Sequence, residues 1–251
     1  MSPQRRRRMR LDQALLERGL SDTIEHARAL IMSGVVLVDD APDRKAGELI
    51  SVDARLRLRG APGRYVSRGG LKLEQALQTF GVEVKDKVAI DVGASTGGFT
   101  DCLLQHGARL VYAVDVGYGQ LAHKLRIDPR VRVMERFNIR ALEPEHLEEA
   151  PQLAVADVSF ISLEKAIAPL RAVLSNPAQL LLLIKPQFEA ERAAVEGGVL
   201  RDPVARQAAI DNSLQALTKL GFVFRSGIDC ATHGPKGNVE YLAWLDWKNT
   251  D

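Results

Sequence analysis

The stretch IDVGASTGGFTD, residues 90–101, decides how the chain is read. Apolar residues lead into it and a helical pattern over 97–106 leads out, so it closes a strand and opens a helix. Gly93, Gly97 and Gly98 allow a tight turn and close approach to a ligand, and helix-start amides would face that ligand. The competing reading of these glycines is tight helix–strand packing. The pattern is neither Gly-x-Gly-x-x-Gly nor a phosphate loop ending in Gly-Lys-Ser/Thr. About twenty residues on, VYAVDVG sets Asp115 at the end of the next strand, where a carboxylate can accept both hydroxyls of a ribose. Nicotinamide-dependent enzymes and methyltransferases both remain open at this point.

Working outward, VAIDVGA, LVYAVDVG, VRVMERF, LAVADVSF and LLLLIKP are strand candidates at regular spacing. Helical patterns at 71–80, 162–174 and 202–220 fall between or beside them. FVFRSGIDCA and VEYLAWLDW follow each other too closely for a crossover helix, so they pair as an antiparallel hairpin. The expected fold is α/β: a mostly parallel sheet whose last strand is antiparallel. Within it, LLLLIKPQFE (180–189) ends an apolar run on Lys185. Such a run is a strand buried on both faces, and Pro186 stops its ladder. Lys185 therefore stands at the carboxyl end of a central strand, where open α/β sheets place ligands.

The N-terminal part differs. From Arg10 the pattern is helical: Leu11, Ala14 and Leu15 share a face, and Gly19 closes the helix. Ser21 or Asp22 is expected to cap a second helix, which carries Ile24, Ala27, Leu30 and Ile31 on one stripe and ends at Gly34. VVLVD, LISV and RLRLRG then make a small β-unit. Residues 61–70, APGRYVSRGG, read as a linker. The expected division is a basic tail at 1–9, a small domain at 10–60, the linker, and a large domain at 71–248.

The chain has 251 residues and a formal charge of +2, which by itself says little. Its distribution says more: residues 1–75 hold 15 Lys/Arg and 10 Asp/Glu, net +5, whereas the remainder holds 19 and 22, net −3. A polyanion is the expected partner of the N-terminal part. Cys102 and Cys230 form no disulfide framework and no metal-ligand spacing, and no metal is expected. No apolar run reaches the ~20 residues of a membrane span, and no h-region follows the basic start. A cytoplasmic location is expected, with no membrane partner. Oligomeric state is not legible.

RLDQALLERGLSD, ARALIMSGVVLVD and PDRKAGELISVDARLRL resemble the S4-type RNA-binding domain. In that family the second helix and the strand after it present basic groups to RNA, and here Arg5, Arg6, Arg7, Arg8, Arg10, Arg28 and Arg68 are expected to serve in that role. The usual basic segment of the second helix reads Thr23-Ile24-Glu25-His26 here. Further along, DVGASTGGF resembles the first motif of S-adenosylmethionine-dependent methyltransferases. That implies a cofactor held by Asp91, Gly93, Ser95, Gly97, Gly98, Phe99 and Asp115, with Asn138 of ERFNIR near the adenine.

Lys72 in SRGGLKL, Asp157 in LAVADVSF, Lys185 in LLLIKPQFE and Glu240 in HGPKGNVEYLAW resemble the K-D-K-E catalytic set of FtsJ-like ribose 2′-O-methyltransferases. Where enzymes that methylate exocyclic nitrogens carry Asn/Asp-Pro-Pro-aromatic, this chain has Asp157-Val158-Ser159-Phe160, which favours ribose. In their combined order these segments resemble the TlyA family over residues 10–247. That family implies an S-adenosylmethionine-dependent rRNA methyltransferase acting on cytidine 2′-hydroxyls of 16S and/or 23S RNA, with ribosomal RNA or subunits as partners. Two other readings are a haemolysin or membrane-active protein and a non-catalytic RNA-binding assembly factor. Arg206 stands where that family often has histidine and is assigned no role.

Overall fold

The structure is a computed structural model that describes residues 8–39, 41, 45, 47–58, 64–159 and 161–248. Arg5, Arg6 and Arg7 lie outside the described residues.

The small domain begins with strand β1 (Arg8–Arg10), so the last residues assigned to a tail are in a sheet. Helices α1 (Leu11–Glu17) and α2 (Ile24–Met32) follow, then strands β2 (Val36–Val38), β3 (Leu49–Ser51) and β4 (Leu56–Leu58). β1 pairs antiparallel with β3, and β2 with β4. Leu11, Ala14, Leu15, Ala27 and Ile31 fill a core of their own. Thr23, rather than Ser21 or Asp22, caps α2: its hydroxyl accepts the His26 N–H at 3.0 Å. A cap must sit two or three residues before the amide it satisfies, and only Thr23 does so here.

The large domain starts at α3 (Gly69–Phe80), two residues before the apolar spacing predicts. Tyr65 in the preceding segment is buried, and the Val66 N–H donates to Asp101 at 2.8 Å, so this end of the linker is packed against the domain. Then come β5 (Val88–Val92), α4 (Gly98–Gln105), β6 (Leu110–Val114), α5 (His123–Arg126) and β7 (Val131–Met134). They are followed by β8 (Leu153–Ala156), α6 (Leu163–Ile167), β9 (Ala178–Ile184), α7 (Pro186–Glu189), α8 (Pro203–Lys219), β10 (Val223–Asp229) and β11 (Tyr241–Trp247). The strand order is β10-β11-β9-β8-β5-β6-β7, parallel from β9 through β7. β11 runs antiparallel to both β9 and β10, as expected for the hairpin.

Period-2 alternation divides the core in two. Val88, Ile90 and Val92 of β5 face Ile167, Leu170 and Phe222, while Ala89 faces the side of Leu73, Leu77 and Leu103. Asp91 shares the parity of Ala89 and so meets α4. Pro186 both ends the β9 ladder and opens α7, a position where its missing N–H is no loss.

Candidate active site

Strand register brings the carboxyl-end residues together. β5 and β8 pair Val92 with Ala156, so Gly93 and Asp157 leave the sheet side by side. A Cβ at Gly93 would lie 2.7 Å from the Asp157 carbonyl oxygen, and Gly93 has φ +85°, so both sterics and backbone require glycine. β9 and β11 pair Ile184 with Tyr241. One step further along that antiparallel register sets Lys185 beside Glu240.

Four ionisable side chains meet there as two pairs. The Lys185 ammonium lies 2.5 Å from Asp157 Oδ1 and donates to Ser159 Oγ at 2.8 Å. The Lys72 ammonium is paired with Glu240 Oε2, and both residues are buried. Lys72 reaches this point because the buried stripe of α3 (Leu73, Ala76 and Leu77) also turns that position inward. Gln75, one turn along α3, accepts the Ala231 N–H at 2.8 Å and donates to the Asp229 carbonyl at 3.1 Å, fixing α3 to the β10–β11 loop. Gly234 has no room for a Cβ because the Glu240 carboxylate occupies that space.

Two cavities adjoin along this line. The first, of about 790 Å³, is lined by Gly93, Ser95, Asp115, Phe137, Asn138 and Ile139 among others. The second, of about 400 Å³, contains all of Lys72, Asp157, Lys185 and Glu240. Gly93, Ser95, Asp157 and Ser159 line both.

In the first cavity Asp115 accepts the Ser95 N–H on one oxygen and the Gly117 N–H on the other, each at 2.7 Å. Each oxygen keeps a second lone pair for a ligand. Asn138 accepts the Arg140 N–H at 3.1 Å and so holds its own loop against the cavity. The remaining glycine-loop residues lie elsewhere. Asp91 lines neither cavity: it is fully buried, and the Thr100 hydroxyl donates to it at 2.7 Å. Burial, reinforced by the nearby Asp157 charge and opposed by that hydrogen bond, pushes its carboxyl up to about 7. Gly97 packs under Leu121 and Leu125, and Gly98 under Ser67 and Gly70, leaving neither a place for a Cβ. Gly98 and Phe99 line the second cavity instead. Helix packing thus explains Gly97 and Gly98, and close approach at the site explains Gly93.

Of the residues assigned to RNA, Arg8 is exposed on β1. Arg10 binds Asp12 through two hydrogen bonds, 3.0 and 2.7 Å, and Arg28 adds a third at 3.1 Å. Asp12 is buried and held at about 2, chiefly by Arg10. Two cations on one carboxylate leave a single positive charge at that spot, with both guanidiniums still half-exposed. Arg68 lines the second cavity.

The motif reading missed Ser159, the hydroxyl partner of Lys185. It also left Arg206 without a role, yet its Nε donates to the Val239 carbonyl at 3.1 Å and its guanidinium pairs with Asp229. It therefore braces the backbone just before Glu240. Nothing in local sequence marks such contacts, because they join residues 23 and 33 positions apart.

The sheet order and the glycine-loop cavity define an α/β protein of the Rossmann-like methyltransferase class. The FtsJ-like methyltransferase profile matches residues 65–247 and the S4 domain profile matches residues 9–56. The 16S/23S rRNA (cytidine-2′-O)-methyltransferase TlyA of Mycobacterium tuberculosis is 42% identical, over 95% of this chain and 90% of its own. Hemolysin A of Brachyspira hyodysenteriae is also 42% identical, over 94% of this chain and 98% of its own. A solved structure from Streptococcus thermophilus superposes with TM-score 0.76 at 42% identity, covering 97% of this chain and 90% of that one. Fibrillarin of Aeropyrum pernix, solved with natively bound S-adenosyl-L-methionine, shares the fold alone, with TM-score 0.54 and 16% identity over 84% of this chain and 94% of its own. The chain belongs to the TlyA family of FtsJ-like methyltransferases carrying an S4 domain.

Proposed function

We propose that the protein transfers a methyl group from S-adenosylmethionine to the ribose 2′-hydroxyl of a cytidine in 16S and/or 23S ribosomal RNA. The observation that carries this reading is the meeting of Lys72, Asp157, Lys185 and Glu240 in a cavity that shares a wall with the glycine-loop cavity. The relative named as a cytidine-2′-O-methyltransferase supports the substrate class.

The residues present fit the cofactor. Gly93 gives it backbone access, Asp115 offers lone pairs to ribose hydroxyls, and Phe137 and Ile139 supply apolar flanks beside Asn138. When bound there, S-adenosylmethionine supplies an electrophilic methyl group. A ribose hydroxyl is a poor nucleophile that must lose a weakly acidic proton, so the protein has to orient it and stabilise growing negative charge. The Lys185 ammonium, held by Asp157 and Ser159, would orient the hydroxyl and stabilise the oxygen while the hydroxyl proton passes to the Asp157 carboxylate or to solvent as the methyl–sulfur bond breaks. The Lys72–Glu240 pair would fix the neighbouring wall. We divide the chain into an RNA-binding domain at 10–60, a linker at 61–70 and a methyltransferase domain at 71–248, with ribosomal RNA or subunits as the partner. The haemolysin reading rests on a relative's name; among the described residues no helix is long and apolar enough to cross a membrane.

The test is transfer of labelled methyl groups to separated ribosomal subunits from an unmodified strain, with the product nucleotide mapped by mass spectrometry. Label on a cytidine ribose supports the reading. Label on a base, or none on either subunit, overturns it.

A further inference from the structure

We propose that the small N-terminal domain forms one wall of the pocket that holds the acceptor nucleotide, so that the end of α2 acts on nucleotide fit as well as on RNA anchoring. The inference rests on the methyl-transfer reading above and deepens it.

The second cavity is built from both domains. Lys72, Asp157, Lys185 and Glu240 lie on one side, whereas Ala29, Leu30, Ser33 and Val35 close the other. Ser67 and Arg68 occupy the segment between them. At about 400 Å³ the space falls in the range of pockets that enclose one small molecule, roughly 300–1,000 Å³. That suits the sugar and base of one nucleotide. It does not admit a helix, whose 2′-hydroxyls lie on a broad, shallow groove surface.

The chemistry of this wall matches such an occupant. Leu30 and Val35 are apolar and partly exposed, suited to lie against the face of a base. The Ser33 hydroxyl donates to the Leu30 carbonyl at 2.8 Å, which leaves its oxygen lone pairs as acceptors. Arg68 is exposed and supplies a cation for the flanking phosphate.

α2 also connects the two cavities. At its start, the Thr23 hydroxyl donates to the Gly119 carbonyl at 3.4 Å, and the Glu25 side chain lies over Gly119. The loop carrying Gly119 contributes Val116 and Gln120 to the cofactor cavity. At the other end, about 13 Å away for nine residues, the helix reaches the acceptor cavity.

The experiment compares Ser33→Trp, Met32→Trp and Leu30→Ala in the full chain. Ser33 is exposed at the end of α2, so the indole is accommodated by filling the cavity rather than the core. Met32 is its neighbour, 80% exposed, and does not line the cavity. Ser33→Trp should lower methyl transfer at least tenfold, with cofactor affinity by calorimetry and rRNA affinity by filter binding both within twofold of wild type. Met32→Trp should match wild type in all three. Leu30→Ala, which widens the pocket, should raise KM for RNA several-fold with a smaller change in kcat. Wild-type transfer by Ser33→Trp overturns the shared wall and leaves the methyltransferase reading standing. Equal losses of transfer and rRNA binding, or a matching loss in Met32→Trp, also overturn it, because they make α2 an RNA anchor alone. Absence of transfer by the wild type to either subunit overturns both proposals.

Discussion

Lys185 Nζ lies 2.5 Å from Asp157 Oδ1, and the two residues occupy the carboxyl ends of adjacent parallel strands, β9 and β8. The β8–β9 ladder runs to Ala156 and Leu182, and β11 continues to hold β9 up to Ile184, so both side chains project from hydrogen-bonded strands. A cation held this rigidly costs little reorganisation when negative charge develops beside it.

Lys185→Ala is therefore expected to lower kcat by about 10²–10³-fold, the usual loss of one preorganised charge-stabilising donor. Cofactor affinity should stay within twofold, since Lys185 does not line the first cavity. Single-turnover transfer and calorimetry on one preparation measure both. Near-wild-type kcat removes Lys185 from the mechanism.

The Lys72–Glu240 pair is buried, so removing one partner strands a charge. Lys72→Met should destabilise the fold by about 3–5 kcal/mol. Lys72→Met combined with Glu240→Gln should recover much of that loss without recovering activity. Denaturant titration of the two singles and the double completes the cycle. Additive losses mean that the pair is not coupled.

Asp115 supports the cofactor loop by accepting two backbone amides. Asp115→Ala removes both of these hydrogen bonds, whose amides lie at the exposed rim of the loop, and removes the acceptor offered to a ribose. Cofactor Kd should rise at least tenfold, with the melting temperature in the absence of cofactor lowered as well. An unchanged Kd excludes Asp115 from the binding site.

Asp91 gives a pH dependence with a definite sign. Its carboxyl is raised in the folded protein from 3.8 to about 7. Between those values the folded state holds a proton that the unfolded chain has released, so stability falls as pH rises across this window. Asp91→Asn has no such titration. Its stability relative to wild type should grow between about pH 5 and about pH 7.5, as read by denaturant melts at each pH. A constant difference shows that Asp91 is ionised throughout.

Much of the site was legible because its residues sit at punctuation marks. Lys185 ends an apolar run, Asp157 and Asp115 end strands, and Gly93 begins the loop, and strand ends are where α/β sheets expose side chains to a ligand. Other motif positions are occupied for packing. Gly97 and Gly98 stand in the loop motif, but the missing Cβ is filled by Leu125 or Ser67 rather than by a ligand. Arg10 and Arg28, expected at the RNA contact, share the Asp12 carboxylate, which no local pattern signals.

By itself, then, the sequence determined the strand–loop–helix order, the alternation that buries both faces of the sheet, the hairpin at the end and the two-part organisation. All of these follow from local periodicity and chain length between elements. Only the tertiary structure decided that Lys72 pairs with Glu240, 168 residues away, and that α2 closes the cavity opposite Lys185. Such contacts are set by strand register and by how helices dock on the sheet. One residue of slip would turn the same side chains to the other face, and local spacing carries no record of that choice.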